Sequence, residues 1–551
     1  MIPNERKTRR RAYGLFIGAA LICFFALAWA TGRGVGLQPD SAFYLDCAKH
    51  IRAGDGYATS VQDYLKPISL GRYLEEMNAQ GHVQPRPEVV FPPLYSFAIA
   101  ALGGTGLDVQ PASRCLGLIL FAFNILLAGV FVYRYTAPRR SPALAAAALM
   151  FGSESMMMLH ANALSEPLFI FLGVLGLMGL TSHIENGKLL SLFCGSAAIG
   201  LAFLTRYAGG ALVVAGALGL FLLQKRPLRR RLWVLAAFLT VSCLPVALFI
   251  VRNVIVAGDP TNRLPSLFVN PTRGLISTLM TTFSSWVFPN LHKVLEIQVH
   301  KDVLAIVSLI LLTAIGVAAV VLMRKAQRSA AGPSAALPRT PALLATFLPV
   351  YFAYILFSAF FIDPEIPLDY RMLSPFFVVG LIAGLAVLGR IGSGLKTGRL
   401  RTVLTAAAIL YLVGYSAIGA AWLIRFQARG GGYNNEEWRS PEMESAFARI
   451  SAEPPGTPIL TNDNSAVYFL GGRDSYFVPL ARKLARLDEL KAEIGTGPVL
   501  LFYFKTKMHV VRDEADAGLS SDRIEQALAE GLAAEVLVRR PTVTLFRMNT
   551  P

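Results

Sequence analysis

Charge is scarce in this sequence. Only 16% of its 551 residues are Asp, Glu, Lys or Arg, against about 25% in a soluble chain. That shortage excludes an ordinary soluble enzyme of several domains, and the 54% hydrophobic content excludes a disordered or fibrous chain. Cysteine is rarer still, with five residues too scattered for a disulfide framework. Cys23, Cys194 and Cys243 fall in apolar runs, where a thiol is a small buried hydrophobe, so only a Cys47–Cys115 bridge stays open. The chain also lacks a Walker loop, a Ser/His/Asp signature, Cys/His metal spacing and any internal repeat or low-complexity tract.

What is present in excess is apolar length. Mean hydropathy is +0.50. Apolar runs occur near 13–31, 112–133, 142–160, 166–182, 189–205, 209–223, 232–251, 303–323, 343–362, 374–389 and 402–424. Runs of roughly twenty residues match a ~30 Å hydrocarbon core at 1.5 Å per helical residue. The expectation is an α-helical polytopic membrane protein with about 11 transmembrane helices. Residues 1–30 also carry a basic start, an apolar stretch and Ala28-Trp29-Ala30, as a signal peptide would. The many spans that follow favour a retained first helix.

The net charge of +17 could suggest nucleic acid, so its distribution decides. With a cytoplasmic N-terminus, segments 1–12, 134–141, 183–188, 224–231, 324–342 and 390–401 share one side. They hold 22 Lys/Arg and two acids, Glu5 and Glu185, while the rest of 1–424 holds 14 Lys/Arg and 16 acids. This is the positive-inside pattern. It makes the basic surplus a matter of topology and argues against a nucleic-acid partner. An odd span number then places the tail, with 16 Lys/Arg and 17 acids, on the outer side.

Three pieces outside the bilayer stand out. Gly32 to Pro111 is expected to be a structured first loop, with a helix over 40–53 stopped by Gly54 and a short interfacial segment at 94–102. A second loop covers 252–302. In the tail, 457–469, 498–504 and 542–548 read as strands and 481–494 and 522–533 as helices, predicting a C-terminal extracytoplasmic α/β domain. The expected domains are therefore a transmembrane body, 1–424, and a tail, 425–551.

Ionisable residues at the ends of apolar spans are functional candidates. The outer side collects Asp40, Asp46, His50, Lys66, His82 and Arg86 from the first loop, with Glu154, His160, Glu166, Arg206, Asp363, Glu365, Asp369 and Arg371 from later ones. Carboxylates beside guanidinium groups suit a reaction in which an acid takes a proton while an anionic group departs. Each also has a structural explanation: Asp40 as an N-cap, Asp46 and His50 as an i,i+4 pair, Glu166 at a helix start, and Arg206 and Arg371 snorkelling.

Their order along the chain is more specific. Pro39-Asp40-Ser41-Ala42-Phe43-Tyr44-Leu45-Asp46 is followed by Gly54-Asp55-Gly56-Tyr57 and Phe91-Pro92-Pro93-Leu94-Tyr95. Then come Ala163-Leu164-Ser165-Glu166-Pro167, Leu204-Thr205-Arg206-Tyr207 and Asp369-Tyr370-Arg371-Met372-Leu373-Ser374-Pro375. The set resembles the GT-C class of membrane glycosyltransferases, in the branch of protein O-mannosyltransferases and aminoarabinose transferases, over most of 1–424 and loosely into 460–473.

The resemblance implies sugar transfer, with inversion, from a polyprenyl-phosphate-sugar donor at the outer face of a cell inner membrane. The acceptor would be a glycan, lipid or protein. Asp40 would be the base, and Glu166 would place the acceptor or the base. Two positions depart from the pattern. Ser41 stands where relatives carry a second acid, and Phe91 stands where many carry a phosphate-binding Lys before the Pro-Pro. Donor phosphate is therefore expected at Arg206 and Arg371, with Arg86 and Lys66 in reserve. Tyr44, Asp46, His50, Tyr57 and Tyr95 are expected around the sugar or acceptor. No cofactor is implied, and a divalent metal would lack a visible ligand cluster. The rivals are a lipid-linked sugar flippase or transporter and a polysaccharide ligase or polymerase. A transporter should show matching, Gly/Pro-interrupted spans in two halves. This sequence does not.

Overall fold

The computed structural model describes residues 3–62, 68–136, 140–262, 275–288, 339–362, 368–394, 398–479, 487–494, 497–505, 520–532 and 534–550. They form two compact units. One comprises Met1–Gly32, Val90–Tyr95 and Cys115–Ala428, and the other Arg33–Val89, Ser96–Arg114 and Arg429–Pro551.

Helices make the first unit. Among the described residues, seven helices are long and apolar enough to cross a membrane: Thr8–Ala30, Val109–Tyr135, Glu166–Asn186, Leu228–Ala257, Ala342–Phe361, Tyr370–Gly389 and Arg401–Arg429. Leu190, Ile255 and Leu410 each leave about three quarters of their surface uncovered, as side chains facing lipid would. The chain is a multi-pass membrane protein.

Two expectations need correction. The run at 142–160 is not one straight span but Arg140–Gly152 and Glu154–Ala161, bent by 64°. The cause is local: the Ser153 hydroxyl accepts the Met156 N–H at 3.4 Å and starts a new helix inside an apolar run. Leu189–Thr205 and Gly209–Leu223 have 17 and 15 residues, fewer than the ~20 an upright span needs. The run at 303–323 lies outside the described residues. No disulfide joins any of the five cysteines, so the bridge left open between Cys47 and Cys115 does not form.

The second unit joins the first loop to the tail. In the loop, helix Pro39–Ala53 ends at Gly54, whose φ of 92° is left-handed. Strands β1 (Ala58–Thr59) and β2 (Arg86–Pro87) pair antiparallel. In the tail, β3 (Ile459–Thr461), β4 (Tyr476–Phe477), β5 (Gly497–Phe504), β6 (Glu535–Arg539) and β7 (Val543–Thr550) form a sheet of order β4-β3-β5-β7-β6. β3 runs parallel to β4 and β5, and β7 antiparallel to β5 and β6.

The central strand is apolar on both faces because both are covered. Leu501 and Tyr503 share a core with Leu70, Tyr73, Leu74 and Met77 of helix Leu70–Gln80 and with Ile524 and Leu528 of helix Ser521–Gly531. On the other face, Phe502 and Phe504 meet Phe447 of helix Pro441–Ser451 with ring centroids 5.0 and 6.1 Å apart. Tyr73 fixes the loop helix to the sheet: its hydroxyl donates to Ile459 O at 3.1 Å and accepts from Ile459 N at 3.0 Å. Gly432 is a second fixed point. Its φ is +60°, and a Cβ there would collide with the Leu37 carbonyl, which accepts the Tyr433 N–H at 2.9 Å.

The expected strand 457–469 is cut short. After Thr461 the sequence Asn462-Asp463-Asn464-Ser465 favours a turn. Asp463 Oδ1 accepts Ala466 N–H at 3.0 Å, and Val467–Gly471 form one π-helical segment.

Candidate active site

The first unit holds a buried ionic cluster. Glu166 is the first residue of Glu166–Asn186, ahead of Pro167, and its side chain is 1% exposed. One carboxylate oxygen, Oε1, accepts from Arg206 Nη1 at 3.1 Å and Arg371 Nε at 3.0 Å. Arg206 closes Leu189–Thr205 in extended backbone geometry, which turns its side chain back across the helix end. It also donates to Ser165 Oγ at 2.9 Å and approaches Met372 Sδ at 3.3 Å. The arginine side chains are 14% and 12% exposed. Glu166 Oε2 is buried and has no hydrogen-bond partner among the described residues.

Neighbouring groups brace the arginines. Asp369 Oδ1 accepts the backbone N–H groups of Arg371 and Met372 at 2.9 and 3.4 Å and so starts helix Tyr370–Gly394. Burial pushes the Asp369 carboxyl above its ordinary range, against the pull of Arg371. The Tyr351 hydroxyl donates to Met372 O at 2.7 Å, and that of Tyr354 to Tyr207 O at 2.9 Å. Three chain segments widely separated in sequence thus bring one acid and two guanidinium groups to a point. Such a point holds an oxyanion well, because guanidinium groups bind phosphate oxygens bidentately.

The second unit holds a carboxylate network on helix Pro39–Ala53. Asp46 is 3% exposed. Its Oδ2 accepts from Thr59 Oγ1 at 2.9 Å and Ser60 N at 2.8 Å, and its Oδ1 from the Tyr468 hydroxyl at 3.1 Å. Lys49 Nζ lies 4.7 Å from the Tyr468 ring centroid. Burial, then the Asp46 charge, pushes the Tyr468 hydroxyl up. His50 lies 3.6 Å from Asp46 and bonds Asp55 Oδ2 at 2.8 Å. Asp40 sits half-buried in the first turn of the same helix. It is not the N-cap. Gln38 is, with its N–H on Ser41 Oγ at 2.9 Å. The tail reaches this helix through Ser465 Oγ, which donates to Pro39 O at 3.4 Å.

No family model matches the chain, and no curated protein does. Solved structures do match. Apo ArnT from Cupriavidus metallidurans has a TM-score of 0.55 at 12% identity over 97% of each chain. The same protein bound to undecaprenyl phosphate scores 0.54 at 12% identity and the same coverage. The arabinofuranosyltransferase AftD from Mycobacteria scores 0.52 at 14% identity, over 98% of this chain and 40% of that one. The chain has the GT-C fold.

Within that GT-C fold the expected site residues part company. Glu166, Arg206 and Arg371 come together. Arg86, in the second unit, pairs with Glu76, whose carboxyl is raised by burial but held below its ordinary range by Gln84, Arg86 and Arg72. Tyr44, Tyr57 and Tyr95 were expected to face a sugar, yet they are 2%, 7% and 1% exposed. Tyr57 stacks on Phe97 at 6.1 Å. Their rings are core: Tyr44 and Tyr57 lie in the second unit, where the first loop is packed with the tail, and Tyr95 lies in the first. Asp46 and His50 are held by protein partners. Lys66, Asp363 and Glu365 lie outside the described residues, where no placement is given. His160, also a candidate, is structural: Nδ1 bonds Met156 O at 2.6 Å, and Nε2 accepts from Asn124 Nδ2 at 3.0 Å.

Sequence reasoning missed Ser165, Asp369's bracing role and Tyr468. Ser165-Glu166-Pro167 does read as a helix start, but nothing local in Tyr468 signals a partner 422 residues away. Among the described residues, no group of three or more His, Cys, Asp or Glu could hold a metal ion.

Proposed function

We propose that this protein transfers a sugar from a polyprenyl-phosphate-linked donor to an acceptor at the outer face of an inner membrane, with inversion at the anomeric carbon. The observation that carries this reading is the convergence of Arg206 and Arg371 on Glu166 Oε1, at 3.1 and 3.0 Å, at the ends of apolar helices. Lipid phosphates lie near the ends of membrane-spanning helices, and two fixed guanidinium groups there would stabilise the negative charge gained on leaving. The GT-C fold and the undecaprenyl phosphate bound to ArnT support the same lipid class.

In the proposed reaction the acceptor oxygen or nitrogen bonds to the anomeric carbon and gives its proton to Asp40. The bond from that carbon to the phosphate oxygen breaks, and polyprenyl phosphate departs with the electron pair toward Arg206 and Arg371. Glu166 acts by holding both guanidinium groups. The Lys/Arg bias supports a cytoplasmic N-terminus and an outer tail.

The test incubates purified full-length protein and a membrane extract as acceptor with a panel of polyprenyl-phosphate sugars, following free polyprenyl phosphate. Release is expected with at least one sugar, lower in Arg371→Lys and lower again in Arg371→Ala, because an ammonium cannot reproduce the bidentate geometry. No release with any sugar sinks the reaction. Wild-type release by Arg371→Ala sinks the phosphate assignment.

A further inference from the structure

The helix that begins at Glu166 ends in a second set of buried polar groups, roughly 26 Å away along its axis by the 1.5 Å rise per residue. His183, in the last turn, is 1% exposed. Its Nδ1–H donates to Lys188 O at 2.9 Å, which leaves Nε2 as the open position. That atom is buried and has no partner among the described residues. Gln224 closes helix Gly209–Leu223 and is 4% exposed. Both its amide oxygen and its amide nitrogen are buried without a partner among the described residues. Arg226 adds a fourth such atom, Nη1, with its guanidinium lying against Gly187. The charges of Arg226 and Arg230 both reach His183.

Unpartnered buried polar atoms cost about 1–3 kcal/mol each and are few in native structures. Four on two neighbouring segments therefore point to a missing partner. The turn that presents them is built, not loose: Arg231 donates to Arg226 O at 2.9 Å and Phe221 O at 3.1 Å. Segment 224–231 has five Lys/Arg and no acid, and the nearby Glu185 is paired with Arg134 at 3.7 Å.

The open atoms define the ligand. Arg226 Nη1 and Gln224 Nε2 donate, which suits phosphate oxygens. His183 Nε2 and Gln224 Oε1 accept, which requires hydroxyl or amine protons beside that phosphate. We propose that this end of the bundle is a binding site for the head group of an anionic phospholipid whose phosphodiester carries a hydroxylated substituent, as in phosphatidylglycerol. Basic recesses between membrane helices bind such head groups. Here the buried amide and imidazole add selection for the hydroxyls. The site is separate from the Glu166 cluster and holds whatever reaction that cluster performs.

The experiment delipidates the full-length protein in detergent and titrates phosphatidylglycerol, phosphatidylcholine or soluble glycerol 3-phosphate, reading thermal midpoint and retained lipid by native mass spectrometry. Phosphatidylglycerol is expected to raise the midpoint and remain bound, with phosphatidylcholine and glycerol 3-phosphate doing neither at matched concentration. Arg226→Ala should weaken phosphatidylglycerol by about tenfold to a hundredfold, as for a hydrogen bond to a charged group. Arg229→Ala, an exposed cation in the same segment, should weaken it by no more than about fivefold. Gln224→Leu is the second variant. Removing an unpartnered amide should leave the lipid-free midpoint unchanged or higher while lipid affinity falls. Equal binding of phosphatidylcholine, equal loss in Arg229→Ala and Arg226→Ala, or unaltered affinity in Gln224→Leu would each overturn the site. Equal stabilisation by glycerol 3-phosphate would overturn the lipid as its occupant.

Discussion

Glu166→Gln isolates the charge of the ionic cluster from its shape. Glutamine has the size of glutamate, so its oxygen can still face Arg206 and Arg371, with the amide nitrogen where Oε2 now has no partner. Only the negative charge is removed. Two guanidinium groups, 14% and 12% exposed, are then left beside each other without a counter-ion. Breaking a buried ion pair in this way costs about 3–5 kcal/mol. A bound phosphate supplies the missing charge, so ligand should stabilise the variant more than the wild type. At a hundred times its Kd a ligand adds about 2.7 kcal/mol, and a tenfold tighter Kd adds about 1.4 kcal/mol more. The assay is thermal unfolding in detergent, with and without polyprenyl phosphate. The expected result is a lower midpoint for Glu166→Gln alone and a larger ligand-induced rise than in wild type. Sugar transfer should fall, because the arginines lose their common anchor. A variant with wild-type stability and a wild-type ligand shift would show that the three residues do not act as a unit.

Three further outcomes are expected. Asp40→Asn should lower sugar transfer by roughly 10²–10⁴-fold as loss of a general base, and because Gln38 is the N-cap, the helix keeps its cap in this variant. Retention of more than a tenth of wild-type turnover would remove Asp40 as the base. Burial pushes the Asp463 carboxyl from 3.8 up to about 6, against the Tyr433 hydroxyl that lowers it. The folded state therefore holds that proton more tightly than the unfolded state, and the stability it contributes is lost as pH rises from about 4 through 6. The midpoint of Asp463→Asn minus that of wild type should accordingly grow across this window, and a difference that stays flat would refute the assignment. Finally, a reporter active only in the cytoplasm should be silent when fused after Pro551 and active when inserted at 224–231; the reverse pattern refutes the topology drawn from the basic loops.

The sequence was most informative where structure follows from short-range pattern. Apolar length marked the membrane helices, Gly54 marked the end of the first loop helix, and the apolar run at 498–504 marked a strand, which the structure then shows covered on both faces. It misled where one residue overrode the pattern, as Ser153 does by capping a new helix inside an apolar run. Long-range pairing was out of reach. Nothing near Arg86 shows that Glu76 takes it, and nothing near Tyr44 or Tyr57 shows that the loop around them is packed into a body with the tail. The acid and the two arginines were legible singly, as charges at the ends of apolar runs. Their meeting within about 3 Å was not, since 165 residues separate Arg206 from Arg371.

The bond between Tyr73 and Ile459 also sets a timetable for synthesis. A ribosome adding about 5–20 residues per second needs roughly 20–80 s to travel from one to the other, 386 residues later. Throughout that interval the helix Leu70–Gln80 exists without the sheet that covers Leu70, Tyr73, Leu74 and Met77. The loop waits as an exposed apolar stripe, open to holdases and proteases alike. A chain that terminates early never acquires its cover. Its first loop then advertises the truncation from near the beginning of the polypeptide, so that quality control can recognise an unfinished protein without inspecting its missing end.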